Sequence, residues 1–155
     1  MFGVAQAFLN HRGTEGRGVH GEDFMDLPYQ ELTGNVIAAA IAVHQELRPG
    51  LDEKLYERAL CIELAERGIF FEQQPKYEVT YKGHFLGHLI PDLVIERTLI
   101  VDAKCVESFV PVHDAQMIGY LNITGLDIAL LLNFKTWPLG KRRILRPGYQ
   151  LNYSP

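Results

Sequence analysis

From Leu32 to Leu47 the chain reads LTGNVIAAAIAVHQEL, with apolar residues returning every three or four positions. That spacing predicts a helix, with Thr33 as its expected N-cap and Arg48–Pro49–Gly50 as its terminator. A second helix is predicted over about Asp52 to Arg67, its apolar face formed by Leu55, Ala59, Ile62 and Leu64–Ala65, with Gly68 just past its end. The period then changes. IFFEQQ (69–74), KYEVTYKG (76–83), HFLGHLIPDLVI (84–95) and TLIVDAKCV (98–106) are aromatic and β-branched, punctuated by Pro75, Gly83 and Gly87. They predict four successive strands. Helical spacing resumes over Val112 to Gly125 through Ala115, Ile118 and Leu121, and the unbroken apolar run Asp127 to Phe134 predicts a strand covered on both faces. A short edge strand is expected near RRILR (142–146). The order α-α-β-β-β-β-α-β predicts a mixed α/β (α+β) fold, a mixed central sheet flanked by helices.

At 155 residues, 47% hydrophobic and 22% charged, the chain is expected to form one domain over residues 27–146. Residues 1–26 are rich in Gly and His and show no periodicity, so an extension without fixed structure is expected there, with Met25 an alternative start to Met1. Residues 147–155 read as a tail. The absence of any apolar run near the roughly 20 residues of a membrane span, or of a basic and then apolar leader, predicts no membrane segment and a cytoplasmic location. Two cysteines, Cys61 and Cys105, make no disulfide framework, and no CxxC or HExxH pattern marks a zinc site. The net charge of −4 exerts no overall pull on a polyanion. Locally, Lys135, Lys141, Arg142, Arg143 and Arg146 follow Leu132 with no acid among them, which reads as a solvated terminus or a phosphate contact.

Three charges interrupt the best strand-forming segment: Asp92, Asp102 and Lys104. Residues two apart on a strand share a face, so Asp102 and Lys104 point the same way while Val101, Ala103 and Cys105 point the other. A turn near Arg97 leaves residues 92 and 102 equidistant from it, so the two carboxylates can stand opposite one another. Such a pair repels unless one takes a proton or a cation lies between. Hard oxygen donors of this kind suit Mg²⁺ or Mn²⁺. The bland alternative is an Asp–Lys pair on a solvated sheet face.

Pro91–Asp92 followed by Asp102–Ala103–Lys104 resembles the signature of the PD-(D/E)XK nuclease superfamily, and GLDEKLY (Gly50 to Tyr56) resembles the motif of its GxxExxY family. AIAVHQELRPG and VHDAQMIGYLNITGLDIALLLNF are similar to that family's text, so the resemblance covers roughly Leu32 to Phe134. It implies a restriction-endonuclease-like core and a Mg²⁺-dependent nuclease acting on nucleic acid, DNA favoured over RNA, and a homodimer if both strands are cut. On this resemblance Asp92, Asp102, the Ala103 carbonyl and Glu53 hold the metal, Lys104 is catalytic, and Gln116 faces the active site with Tyr120 one turn beyond it. Two departures stand out: many members of the narrower family carry Glu at the central acid, and Ile90 stands where a basic residue is expected. Hydrolysis of a smaller phosphate ester is a further enzymatic reading. A different class of reading keeps the fold but not the chemistry: a catalytically silent module that binds a protein or nucleic-acid partner.

Other residues read as structural. Glu53 also suits a first helical turn, where a carboxylate complements the dipole, and Tyr56 is a packing residue whose hydroxyl bonds a neighbour. His44 reads as a core or boundary residue, His113 as a partial helix cap, and Cys105 as facing away from Lys104. His84 and His88 lack ligand geometry. Trp137 reads as loop packing, with base stacking as its alternative.

Overall fold

The computed structural model describes residues 29–149, so the expectations for residues 1–26 and the end of the tail lie outside the described residues. Helix α1 spans Gln30–Leu47. It begins before Thr33, whose hydroxyl therefore caps nothing; it donates back to the carbonyls of Tyr29 (3.1 Å) and Gln30 (3.2 Å), the usual fate of a threonine inside a helix. Val36, Ala39, Ala40 and Val43 form its buried face. Arg48, with a left-handed φ of 63°, ends it ahead of Pro49.

Helix α2 spans Glu53–Glu66 and is turned by one residue from the expected face. Leu55 and Ile62 are exposed, and Tyr56, Glu57, Leu60, Cys61 and Leu64 are buried. Tyr56 sets this rotation: its ring stacks on Phe134 with centroids 4.7 Å apart, while its hydroxyl donates to the Arg48 carbonyl and accepts from Leu51 N–H (3.1 Å). Gly68, at φ 70°, closes the helix as expected.

Seven strands follow or interleave with one more helix: β1 (Phe71–Gln73), β2 (Tyr77–Tyr81), β3 (His84–Leu89), β4 (Leu93–Ile95), β5 (Leu99–Lys104), α3 (Pro111–Thr124), β6 (Ile128–Asn133) and β7 (Gly140–Leu145). The run 84–95, expected as one strand, is therefore two, divided at Ile90–Pro91. Proline has no N–H for a ladder, and the chain changes sheets there. The main sheet has the order β1-β4-β5-β6-β7, with β2 and β3 forming a separate two-stranded ribbon. Strands β5 and β6 are parallel and joined through α3; every other pair is antiparallel. The expected edge strand near the end is β7.

The sheet is filled on both sides. Leu93, Ile95, Leu99, Val101, Ala103, Ile128, Leu130 and Leu132 pack against α1 and α2. Val94, Ile100, Ala129 and Leu131 pack against Met117 and Leu121 of α3, whose expected stripe is shifted because Ala115 turns outward. Alternation along each strand thus sorts the side chains into two layers of core, and the charged ends of β5 fall on the α3 side.

Candidate active site

The register Leu93↔Val101, Val94↔Ile100 and Ile95↔Leu99 places Asp92 opposite Asp102 one step beyond the β4 ladder. The turn that fixes this register uses Glu96 and Arg97, both at positive φ, with Thr98 N–H bonded to the Ile95 carbonyl at 2.9 Å. Asp92 Oδ2 accepts Ala103 N–H at 3.1 Å. Residue 91 would ordinarily exchange both backbone bonds with Ala103 in such a ladder. Pro91 has no N–H to give, so the Ala103 carbonyl faces the Asp92 side with no donor from the opposing strand. The proline of the motif thus frees an oxygen beside the acids.

Asp102 is 3% exposed, and its Oδ2 is paired with Lys104 Nζ at 2.7 Å. Lys104 Nζ also donates to Gln116 Oε1 at 3.1 Å, and Gln116 Nε2 donates to the Tyr120 hydroxyl at 3.1 Å. Two turns of α3 and the end of β5 therefore form one connected chain: Asp102, Lys104, Gln116, Tyr120. Burial, then the charge of Asp102, push the Asp92 carboxyl up to about 7. Burial works against the Lys104 ammonium, but the bond to Asp102 and its charge outweigh it and raise that group. Burial and the charge of Asp102 likewise raise the Tyr120 phenol.

Four expected site residues, Asp92, Asp102, Lys104 and Gln116, come together with Tyr120 as expected. Glu53 stands at the margin: it is exposed, and its Oε2 accepts Cys105 N–H at 3.2 Å. The residue that periodicity missed is Glu57. It is 2% exposed, its Oε1 has no hydrogen-bond partner, its other oxygen is paired with Lys54, and its charge contributes to raising Asp92. The sequence carries the signal, because 56, 57, 60, 61 and 64 make as regular a helical stripe as the more apolar one through Leu55 and Ile62.

The other candidates are structural. His44 is buried, stacked on Trp137 (centroids 4.9 Å apart) and edge-on to Phe134 (6.0 Å). His113 Nδ1 accepts Val110 N–H at 3.1 Å and so caps α3. Cys105 and Cys61 are free thiols, and His84 and His88 lie exposed on the ribbon. Arg142 is held by Asp114 and Arg146 by Asp127, so part of the basic tail is neutralised locally.

A mixed sheet with helices on both faces and an Asp, Asp–x–Lys cluster at the carboxyl end of its central strand defines a restriction-endonuclease-like fold. Residues 30–146 match the family model of the PD-(D/E)XK nuclease superfamily, and the chain belongs to that superfamily. Among solved structures, SSO0001 is similar with TM-score 0.50 and 12% identity over 93% of this chain and 76% of that one. The alkaline exonuclease LHK-Exo from Laribacter hongkongensis gives TM-score 0.44 and 16% identity over 73% of this chain and 70% of that one. A phage-related exonuclease from Haemophilus somnus 129PT gives 0.42 and 14% over 73% and 72%. No curated protein matches the chain.

Proposed function

We propose that this protein is a divalent-metal-dependent nuclease of the GxxExxY branch, hydrolysing phosphodiester bonds in nucleic acid, with DNA the favoured substrate and the cytoplasm its location. The buried pair of facing carboxylates, Asp92 and Asp102, carries the reading. Ordinary folding gives no reason to press them together, and a cation relieves their repulsion. The donor set fits Mg²⁺ or Mn²⁺. Among the described residues no three His, Cys, Asp or Glu side chains are grouped so as to hold an ion, and magnesium characteristically takes one or two carboxylates plus waters and substrate phosphate oxygens.

Asp92, Asp102 and the Ala103 carbonyl would hold the ion, with Glu53 reaching it through water and Glu57 adding negative potential behind Asp92. When bound, the ion would supply Lewis-acid stabilisation of the phosphate and an acidified water. Lys104, fixed between Asp102 and Gln116, holds an ammonium where charge develops on the phosphate. Gln116 orients that ammonium and is itself held by Tyr120. The test is incubation of purified protein with Mg²⁺ or Mn²⁺ and a panel of DNA and RNA substrates; a panel left uncut removes the reading.

The Lys104–Asp102 pair beside a carboxyl raised to about 7 favours a second reading, because such a cluster is close to self-neutralised without a cation. On that reading the fold is a catalytically silent binding module. Calorimetric titration with Mn²⁺ separates the two: heat of binding that disappears in Asp102→Asn supports the nuclease, and no heat supports the module.

A further inference from the structure

The detour between β1 and β4 has a chemistry of its own. β1 and β4 pair directly, and Gln74 N–H bonds the Asp92 carbonyl at 2.8 Å, so the β2–β3 ribbon leaves the main sheet at Asp92 itself. Tyr77 packs into the α3-side core, which puts the root of the ribbon on the side of the sheet where Asp102 and Lys104 point. Further out the ribbon pairs only with itself: Glu78↔His88, Val79↔Gly87, then a bulge, Thr80↔Phe85 and Tyr81↔His84. Lys82 and Gly83 form the turn, both at positive φ, the tight two-residue geometry that gives a well-defined hairpin end.

This end is apolar, aromatic and basic. Tyr81, Phe85 and Leu86 are 61%, 59% and 64% exposed. Lys82 Nζ lies 5.4 Å from the Tyr81 ring centroid, and Phe85 meets His88 edge-on at 5.2 Å. Residues 76–89 carry Lys76 and Lys82 against Glu78, a balance of +1 with His neutral, so the rest of this −4 chain carries −5. Exposed aromatics beside cations on an otherwise acidic protein, rooted at the acids of the site, match a polyanion that offers flat rings.

We propose that the β2–β3 ribbon is a nucleic-acid-binding arm that lies along the strand flanking the site, with Lys76 and Lys82 on phosphates and Phe85 and Tyr81 stacked on unpaired bases. The inference rests on the nuclease reading and names how that site would hold its substrate. Six residues separate Phe85 from Asp92, seven Cα steps and at most about 25 Å of chain. A nucleic-acid strand at duplex rise covers that span in about seven steps.

The test uses fluorescence anisotropy of the full chain with labelled single strands of about 20 and about 2 nucleotides, in Ca²⁺ to hold turnover low. Phe85→Ala and Lys82→Glu should each weaken binding of the longer strand by roughly tenfold or more, and leave the short strand, which cannot reach both site and tip, unchanged. Equal loss on both lengths would show a structural defect and overturn the arm, as would no loss on either. A changed sedimentation mass with unchanged affinity would make the ribbon a contact between copies and overturn it too. If wild type binds and cuts but the variants match it, only the arm fails; if wild type binds no nucleic acid, the nuclease reading fails with it.

Discussion

Strands β5 and β6 lie side by side, parallel, six residues each, in register from Leu99↔Ile128 to Lys104↔Asn133. Both are sandwiched between the same two helical layers. β6 is what that position demands: Ile-Ala-Leu-Leu-Leu-Asn, buried throughout. Its one polar side chain, Asn133, is hydrogen-bonded at both ends, accepting from Val106 N–H and Lys135 N–H (3.1 Å each) and donating to the Val106 carbonyl (2.7 Å). β5 reads Leu-Ile-Val-Asp-Ala-Lys, with Asp102 level with Leu131. Where β6 has a leucine, β5 has a carboxylate facing another carboxylate. A satisfied buried amide ties loops together; an opposed buried pair works against the packing that holds it.

The largest effect expected from this contrast is on chemistry. Asp102→Asn and Lys104→Ala should each lower cleavage by about 10²–10³-fold or more, with circular dichroism and thermal midpoint little changed. Loss of folding with either substitution would mean that the charges hold the strand together, and β5 would then differ from β6 only in how it achieves stability. The mirror experiment is Leu131→Ala. It should cost about 2–5 kcal/mol by denaturant titration, the range for emptying a packed site, while activity per folded molecule stays unchanged.

Much of β5 and its surroundings was legible. The Asp92–Asp102 opposition follows from a turn at 96–97 midway between them, Lys104 from the two-residue period, and Gln116 with Tyr120 from helical spacing. These are local rules, and the fold keeps them; that Gln116 faces the acids at all comes from the family resemblance, since helical spacing makes it only a neighbour of Tyr120. What failed depended on tertiary contact. Leu55 and Ile62, more apolar than Glu57, mark one face of α2 in the sequence, yet the stacking of Tyr56 on Phe134, 78 residues away, turns the helix and buries the glutamate. Thr33 has the look of a cap because nothing local shows that the helix starts a turn earlier. The division of 84–95 between two sheets was marked by Pro91, but only the pairing of β1 with β4 shows where each half goes.

Titration sharpens the contrast further. A carboxyl raised to about 7 binds its proton more tightly folded than unfolded, where about 3.9 is usual, so its stabilising contribution is present at low pH and lost as pH rises through 7. The thermal midpoint of the metal-free protein should therefore fall between about pH 4 and pH 7 and level off above that, and the fall should shrink in Asp92→Asn. Metal affinity should run the opposite way, rising by up to about tenfold per pH unit below 7 because the ion must displace that proton. Thermal scans with and without Mn²⁺ across this range check both slopes.

The smallest effect concerns Glu57, on the helical layer opposite α3. Its charge raises the Asp92 carboxyl, behind burial and Asp102 in size. Glu57→Gln keeps the volume and removes the charge; Lys54, which loses its partner, is half exposed and can turn to water at little cost. The midpoint of the pH dependence should move to lower pH, and Ile62→Gln, on the exposed face of the same helix, should leave it where it is. A shift in the first and none in the second would make the site a feature of both layers, with α2 setting the field in which the end of β5 works. No shift in either would confine the site's field to Asp92, Asp102 and Lys104, and Glu57 would then be a buried carboxylate held by its pairing with Lys54 and by the helix rotation that Tyr56 sets.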